Sequence, residues 1–307
     1  PAIKTEDENE PVPAKVALIG LITGIILITL FGVISGMMVW VILAYTVILL
    51  LVALVYARIR TEGGITLNWM FPFWQQKNYM ITVLGTKPFA AGGDFTTLAI
   101  LSSLMWLSRG FFPSLMATQL ESVKLSESGK IKRRSVLPIL IVGIVLGLAF
   151  GYWVHLTAYY KYGANVLEGG TTSGGFRIVL ATEDFNGTVS HMRSARLPGI
   201  NDLFGGIFGA VVVMALTILR RIFLQFPFHP LGYAIATAYG NPVWGAFLTV
   251  WVVKSFILKV GGVKMYRKGI PFFLGIAIGH FFTAGVVWGI LGFFGDEMFR
   301  KYAVWFG

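Results

Sequence analysis

Long uncharged apolar runs, separated by short basic clusters, dominate the chain. From Val16 to Ala57 no charged residue occurs. A single helix over that stretch would be about 63 Å long, twice the ~30 Å hydrocarbon core of a bilayer. The run is therefore expected to hold two membrane spans with a turn near Gly32, Ser35 and Gly36, the second ending at Arg58 and Arg60. Val136–Tyr160, Phe204–Leu219 and Phe272–Phe294 read as three further spans. Residues 1–14 are polar, acidic and Pro-containing and read as an exposed tail. Residues 15–300 read as one transmembrane domain.

Two stretches are apolar but interrupted. Residues 97–120 are long enough to span, yet Arg109, Gly110 and Pro113 break the middle. Residues 226–258 carry Pro227, Pro230, Gly232 and Gly240 before continuing as helix. The basic clusters Arg58/Arg60, Lys130–Arg134, Arg220/Arg221 and Lys259–Lys268 are all expected in the cytoplasm by the positive-inside rule. The first two clusters share a side only if 61–129 crosses the membrane an even number of times, and the last two demand the same of 222–258. Both stretches are thus expected to be hairpin-like or re-entrant, with broken helices lining a cavity. The predicted fold is all-α, polytopic and transmembrane, with five clear spans and two broken segments. The N-terminus is expected inside a prokaryotic cytoplasmic membrane. Residues 161–200, with GGTTSGG at 169–175, read as a long polar loop on the outer side.

Composition agrees. Charged residues are 13% of the 307, against about a quarter in soluble domains. That excludes a soluble enzyme and a disordered chain. With 25 Lys+Arg against 14 Asp+Glu the net charge is +11, which fits cytoplasmic loops and anionic lipid rather than nucleic acid, for which no motif is present. There is no Cys, so thiolate metal sites, Cys-ligated clusters and Cys nucleophiles are excluded.

The candidate chemistry is sparse. Arg109 sits near the middle of an apolar stretch beside Gly110; a cation there costs about 3 kcal/mol or more unless paired or hydrated. Beside a broken helix it could bind a carboxylate or phosphate. The bland alternative is an Arg that snorkels to head groups. His280 lies near the centre of the last span among Gly and Phe residues. It could relay protons, ligate a metal or a tetrapyrrole, or simply hydrogen-bond another helix. His155 reads as an interfacial anchor and Lys254 as a snorkelling cation. His191 falls in the outer segment and His229 at a helix entry. Asp94 is placed to cap the helix that begins near Thr96. Asn186-Gly187-Thr188 fits a glycosylation sequon. The four His form no H-x-x-x-H or H-E-x-x-H, so no metal site is expected. GGTTSGG lacks the GK[ST] of a P-loop, and the acids read as loop residues, so no catalytic set is expected and the protein is not read as an enzyme. Gly143, Gly147 and Gly151 form a ladder on one helix face, as do Gly205 and Gly209. Such ladders allow close helix packing, within the chain or with a neighbour.

The order ARIRTEGG (57–64), LMATQLESVKLSE (115–127), KRRSVLP (132–138), KYGAN (161–165), FHPLGYAIA (228–236) and VKSFILKVGGVKMYRKGIPFFLGIAIGH (253–280) resembles a known pattern. It is similar to the C-terminal half of a family of large, uncharacterised prokaryotic polytopic membrane proteins. That family is in turn distantly similar to the oligopeptide transporter superfamily. The resemblance implies a transporter-like subunit that acts with a partner chain or with a second copy. The alternative is a non-catalytic subunit of a larger membrane complex, packing on other proteins, pigment or lipid. On the first reading the solute path runs between 97–120 and 226–258, and Arg109, Gly110 and His280 are the candidate substrate contacts. The resemblance leaves the identity of any cofactor undetermined.

Overall fold

The computed structural model describes residues 12–64, 75–108, 115–163, 176–223, 225–237 and 244–294. Every regular element among them is helical, and five stretches are long and apolar enough to cross a membrane. The chain is an all-α, polytopic membrane protein. It divides into two compact units, Pro1–Ala234 and Ile235–Gly307.

In the first unit, α1 (Ala14–Ile34) and α2 (Val39–Gly63) form the expected pair of spans. The turn lies at 35–38, where Gly36 takes φ +93°. Gly32 is not in the turn but at the end of α1. A Cβ there would stand 2.6 Å from Ile42 Cγ1, so only glycine lets the two helices approach this closely. The 25 residues of α2 make about 37 Å of helix, enough to cross the hydrocarbon core.

The interrupted stretch then follows α2. It comprises α3 (Gln75–Leu84), two short 3-10 turns, α4 (Thr96–Ser103), α5 (Met105–Ser108) and α6 (Leu115–Ser128). The Met38 amide donates to Thr97 Oγ1 at 3.3 Å, the Tyr45 hydroxyl to the Leu104 carbonyl at 2.9 Å, and Arg60 Nε meets Glu121 Oε1 at 2.6 Å. The partners ascend together, so α4 and α6 run parallel to α2.

A small core binds these pieces: Val41, Ile42 and Tyr45 of α2, Met80 and Ile81 of α3, Phe89, and Leu98, Leu101 and Leu104 on and beside α4. Asp94 acts as expected, its carboxylate accepting the Thr96 amide at 2.9 Å and the Thr96 hydroxyl at 2.5 Å.

After α7 (Val136–Tyr162) comes α8 (Phe176–Arg193), inside the stretch read from sequence as a polar loop. Residues 176–193 are helical. Asp184, Thr188 and His191 recur at helical spacing, and α8 turns Asp184 and Thr188 toward Lys77 and Ser102. From α8 the chain runs directly onto the end of α3. The Thr86 amide donates to the Arg196 carbonyl at 2.9 Å, the Arg196 amide to Thr86 Oγ1 at 2.9 Å and the Gly199 amide to the Thr82 carbonyl at 2.9 Å. α9 (Ile200–Ile222) then begins, and α10 (Pro230–Thr237) follows it. Among the described residues α7 buries only Val136 and α9 buries nothing. The apolar residues of α7 are nearly all exposed, as on a lipid-facing helix, whereas α9 keeps a half-buried stripe at Leu203, Val212, Val213, Leu216 and Leu219.

In the second unit, α11 (Trp244–Phe281) is followed by a π-helical segment, Phe282–Val287, and α12 (Trp288–Phe294). A straight helix over Trp244–Leu291 would be about 72 Å long, more than twice the membrane core. Gly262, at φ 61° and ψ −166°, breaks it. Thr249 and Leu274 would lie about 37 Å apart on a straight helix, yet they line one cleft. The chain therefore folds back at Gly261-Gly262, inside the expected basic loop, which is helical on both sides of the bend.

Candidate functional site: a buried ion pair on three helices

Three helices that are not themselves apolar spans converge on one ammonium group. α3 supplies Lys77, α4 supplies Ser102, and α8 supplies Asp184 and Thr188. Lys77 Nζ donates to Asp184 Oδ2 at 2.8 Å, to Ser102 Oγ at 2.9 Å and to Thr188 Oγ1 at 3.0 Å. These acceptors use all three N–H donors of the lysine. Ser102 Oγ and Thr188 Oγ1 share a further hydrogen bond at 2.5 Å. The Lys77 and Asp184 side chains are 8% and 9% exposed, so the pair is dry. Removing either partner of such a pair leaves an uncompensated buried charge and costs about 3–5 kcal/mol.

Local sequence explains how each residue arrives. Asp184, Thr188 and His191 stand at i, i+4 and i+7 of α8 and share one face. Leu98 and Leu101 anchor α4 in the core, which turns Ser102 toward α8; its hydroxyl also donates back to the Leu98 carbonyl at 3.2 Å. Ser102 lies between Thr97 and Leu104 and is therefore level with the first two turns of α2. Next to Lys77, Gln76 is 1% exposed, and neither atom of its amide has a partner among the described residues. A buried amide without partners is uncommon. His191 completes the face. Burial first, then the charges of Lys77 and Arg196, hold its pKa below the ordinary histidine value, while Asp184 pulls the other way.

The residues singled out from sequence fare differently. Arg109 and Gly110 lie outside the described residues, as does GGTTSGG. His280 sits in the last turn of α11, just before the π-helical segment, its ring 5.8 Å from that of Phe281. A π-helical insertion is rare and concentrates at functional positions. His155 lies on α7 with its ring 5.9 Å from Tyr159. His229 Nδ1 accepts the Leu231 amide at 3.0 Å and so caps α10. Lys254 does not extend away from the helix: its ammonium lies 5.2 Å from the centre of the Tyr266 ring.

Two sequence expectations need correction. Asn186-Gly187-Thr188 is not an extended acceptor loop but mid-helix, and Thr188 is buried on Lys77. The acids are not confined to loops, because Asp184 is a half-buried helical residue. Lys77, Asp184 and Ser102 carry no sequence signal because each is ordinary alone, and Thr188 stood out only within the sequon. The i, i+4, i+7 spacing of Asp184, Thr188 and His191 was the available signal. Among the described residues no group of three or more His, Asp or Glu could hold a metal ion.

Fold and site together define a polytopic α-helical membrane protein with a dry charged cluster where three short helices meet. Residues 2–306 match the Family of unknown function (DUF6785), and the chain belongs to that family. The comparisons lend no support to an oligopeptide-transporter likeness or to reading the chain as the C-terminal half of a longer protein. No curated protein matches the chain, and no solved structure does.

Proposed function

We propose that the protein is a transporter-like membrane subunit. An anionic solute passes along the interrupted element α4–α6 beside α2, and the Lys77–Asp184 pair marks one end of that path. The observation that carries the reading is the dry ion pair abutting a broken helix. Burying an ion pair is a poor way to gain stability, because desolvation offsets the attraction. Membrane proteins place broken helices where they line a cavity rather than face lipid. Arg109 and Gly110, at the interruption in the sequence, supply the second anion contact on this reading, and His280 a proton relay in the second unit. A second copy or a partner chain completes the barrier.

Uptake into proteoliposomes tests the proposal, with radiolabelled inorganic phosphate, a dicarboxylate and a tripeptide as probes. Arg109→Ala is expected to abolish uptake of the transported probe while the protein remains inserted. Uptake equal to that of empty liposomes for all three probes would sink the reading.

One observation favours an assembly subunit instead. A Cβ on Gly143, Gly147 or Gly151 of α7 would meet nothing within 4 Å, so the ladder is not used within the described chain. Such a face suits a neighbouring helix. Native mass after mild-detergent extraction separates the two readings: a large mixed assembly favours the subunit role, a homo-oligomer the transporter.

A further inference from the structure

The hairpin made by α11 encloses an open cleft of about 550 Å³. Its walls are apolar: Val250, Val253 and Ile257 on the first arm, Ile270, Phe273 and Leu274 on the second. One cation, Lys254, enters it, with its ammonium resting over the Tyr266 ring on the opposite arm. Lys259, Lys264, Arg267 and Lys268 all lie within two turns of the bend at Gly262. Between Trp244 and Phe294 there is no Asp or Glu. The second unit therefore carries an unbalanced positive charge at one end of an apolar slot.

We propose that this cleft holds one acyl chain of an anionic phospholipid, with the lipid phosphate at Lys254. The dimensions suit this occupant. From Tyr266, over which the Lys254 ammonium rests, to Leu274 is about 12 Å of helix, most of one leaflet of a ~30 Å hydrocarbon core. The apolar walls offer nothing to a polar solute. The cation at the mouth and the basic rim beyond it discriminate against a zwitterionic head group, as basic pockets between membrane helices do. The Tyr266 ring holds the Lys254 ammonium at the cleft wall, so the phosphate meets a cation already in place. The proposal is independent of the transport reading, since it uses only residues of the second unit.

The test is native mass spectrometry of the purified full-length protein, titrated with phosphatidylglycerol or phosphatidylcholine of identical acyl chains. The wild type is expected to retain phosphatidylglycerol about fivefold more tightly. Lys254→Gln, at an exposed position, is expected to reduce that preference about threefold. Val253→Trp, which fills the slot, is expected to weaken retention of both lipids. Equal retention of the two lipids by the wild type overturns the proposal. So does wild-type behaviour in both variants. If instead only Lys264→Gln with Arg267→Gln removes the preference, the lipid is held by the basic rim and the cleft assignment fails.

Discussion

Lys77 and Asp184 close a 2.8 Å ion pair across 107 residues of chain, and that contact ties α3 to α8. The α3 end is further fixed where Gly85 lets the backbone of Arg196 pass. The pair therefore serves the fold as well as any chemistry, and its two contributions are separable. Lys77→Met or Asp184→Asn alone is expected to destabilise the protein by about 3–5 kcal/mol, because the remaining charge stays buried. The double substitution Lys77→Met with Asp184→Leu is expected to recover most of that loss. Thermal unfolding in detergent micelles reads both. A double variant no more stable than the singles would show that the cost lies in packing rather than charge.

Gly85 takes φ +71°, and a Cβ there would stand 2.7 Å from the Arg196 carbonyl oxygen. Gly85→Ala combines a left-handed backbone penalty of about 1–3 kcal/mol with that clash. It is expected to loosen the junction between α3 and the start of α9. Faster proteolysis between residues 194 and 199 would report it, and an unchanged cleavage rate would contradict it.

The protein has no cysteine, so an introduced pair provides its only thiols. With Arg60 and Glu121 both replaced by Cys, a short bis-maleimide is expected to join them efficiently. A Met38→Cys and Glu121→Cys pair is expected to stay unlinked, since the two positions lie at opposite ends of α2. Linking of the second pair would overturn the parallel run of 97–121 beside α2.

His191 gives the cluster a pH dependence. Its pKa is lowered in the folded protein by burial and by Lys77 and Arg196, with Asp184 opposing. Between the ordinary value of 6.5 and the lower folded value, the unfolded chain binds more protons. Stability is therefore expected to fall as pH drops below about 6.5 and to level off once the folded pKa is passed. His191→Gln is expected to flatten that part of the profile. A profile with the same slope in both proteins would remove His191 from the account.

Tyr45 donates its hydroxyl to the Leu104 carbonyl, just past the end of α4. Tyr45→Phe removes one of two hydrogen bonds on that carbonyl, which still accepts the Leu107 amide at 3.0 Å, and is expected to cost about 0.5–1.5 kcal/mol. Thermal unfolding checks this as well.

The spans and their approximate ends were legible in the order of residues. Partition into lipid sums over neighbouring side chains, and basic clusters mark the ends, so such features need no knowledge of distant contacts. The bend within Lys259–Lys268 was legible for the same reason, although a glycine pair makes it rather than an extended loop. What tertiary structure decided is which polar residues meet. Residues 161–200 looked like a loop because the stretch as a whole is polar and Gly-rich, and the face of α8 that carries Asp184 and Thr188 is polar because it answers Lys77. That match joins positions 77, 102, 184 and 188, and no local pattern encodes it. A buried charge is stable only beside its partner, and here the partner is delivered by the packing of α3, α4 and α8.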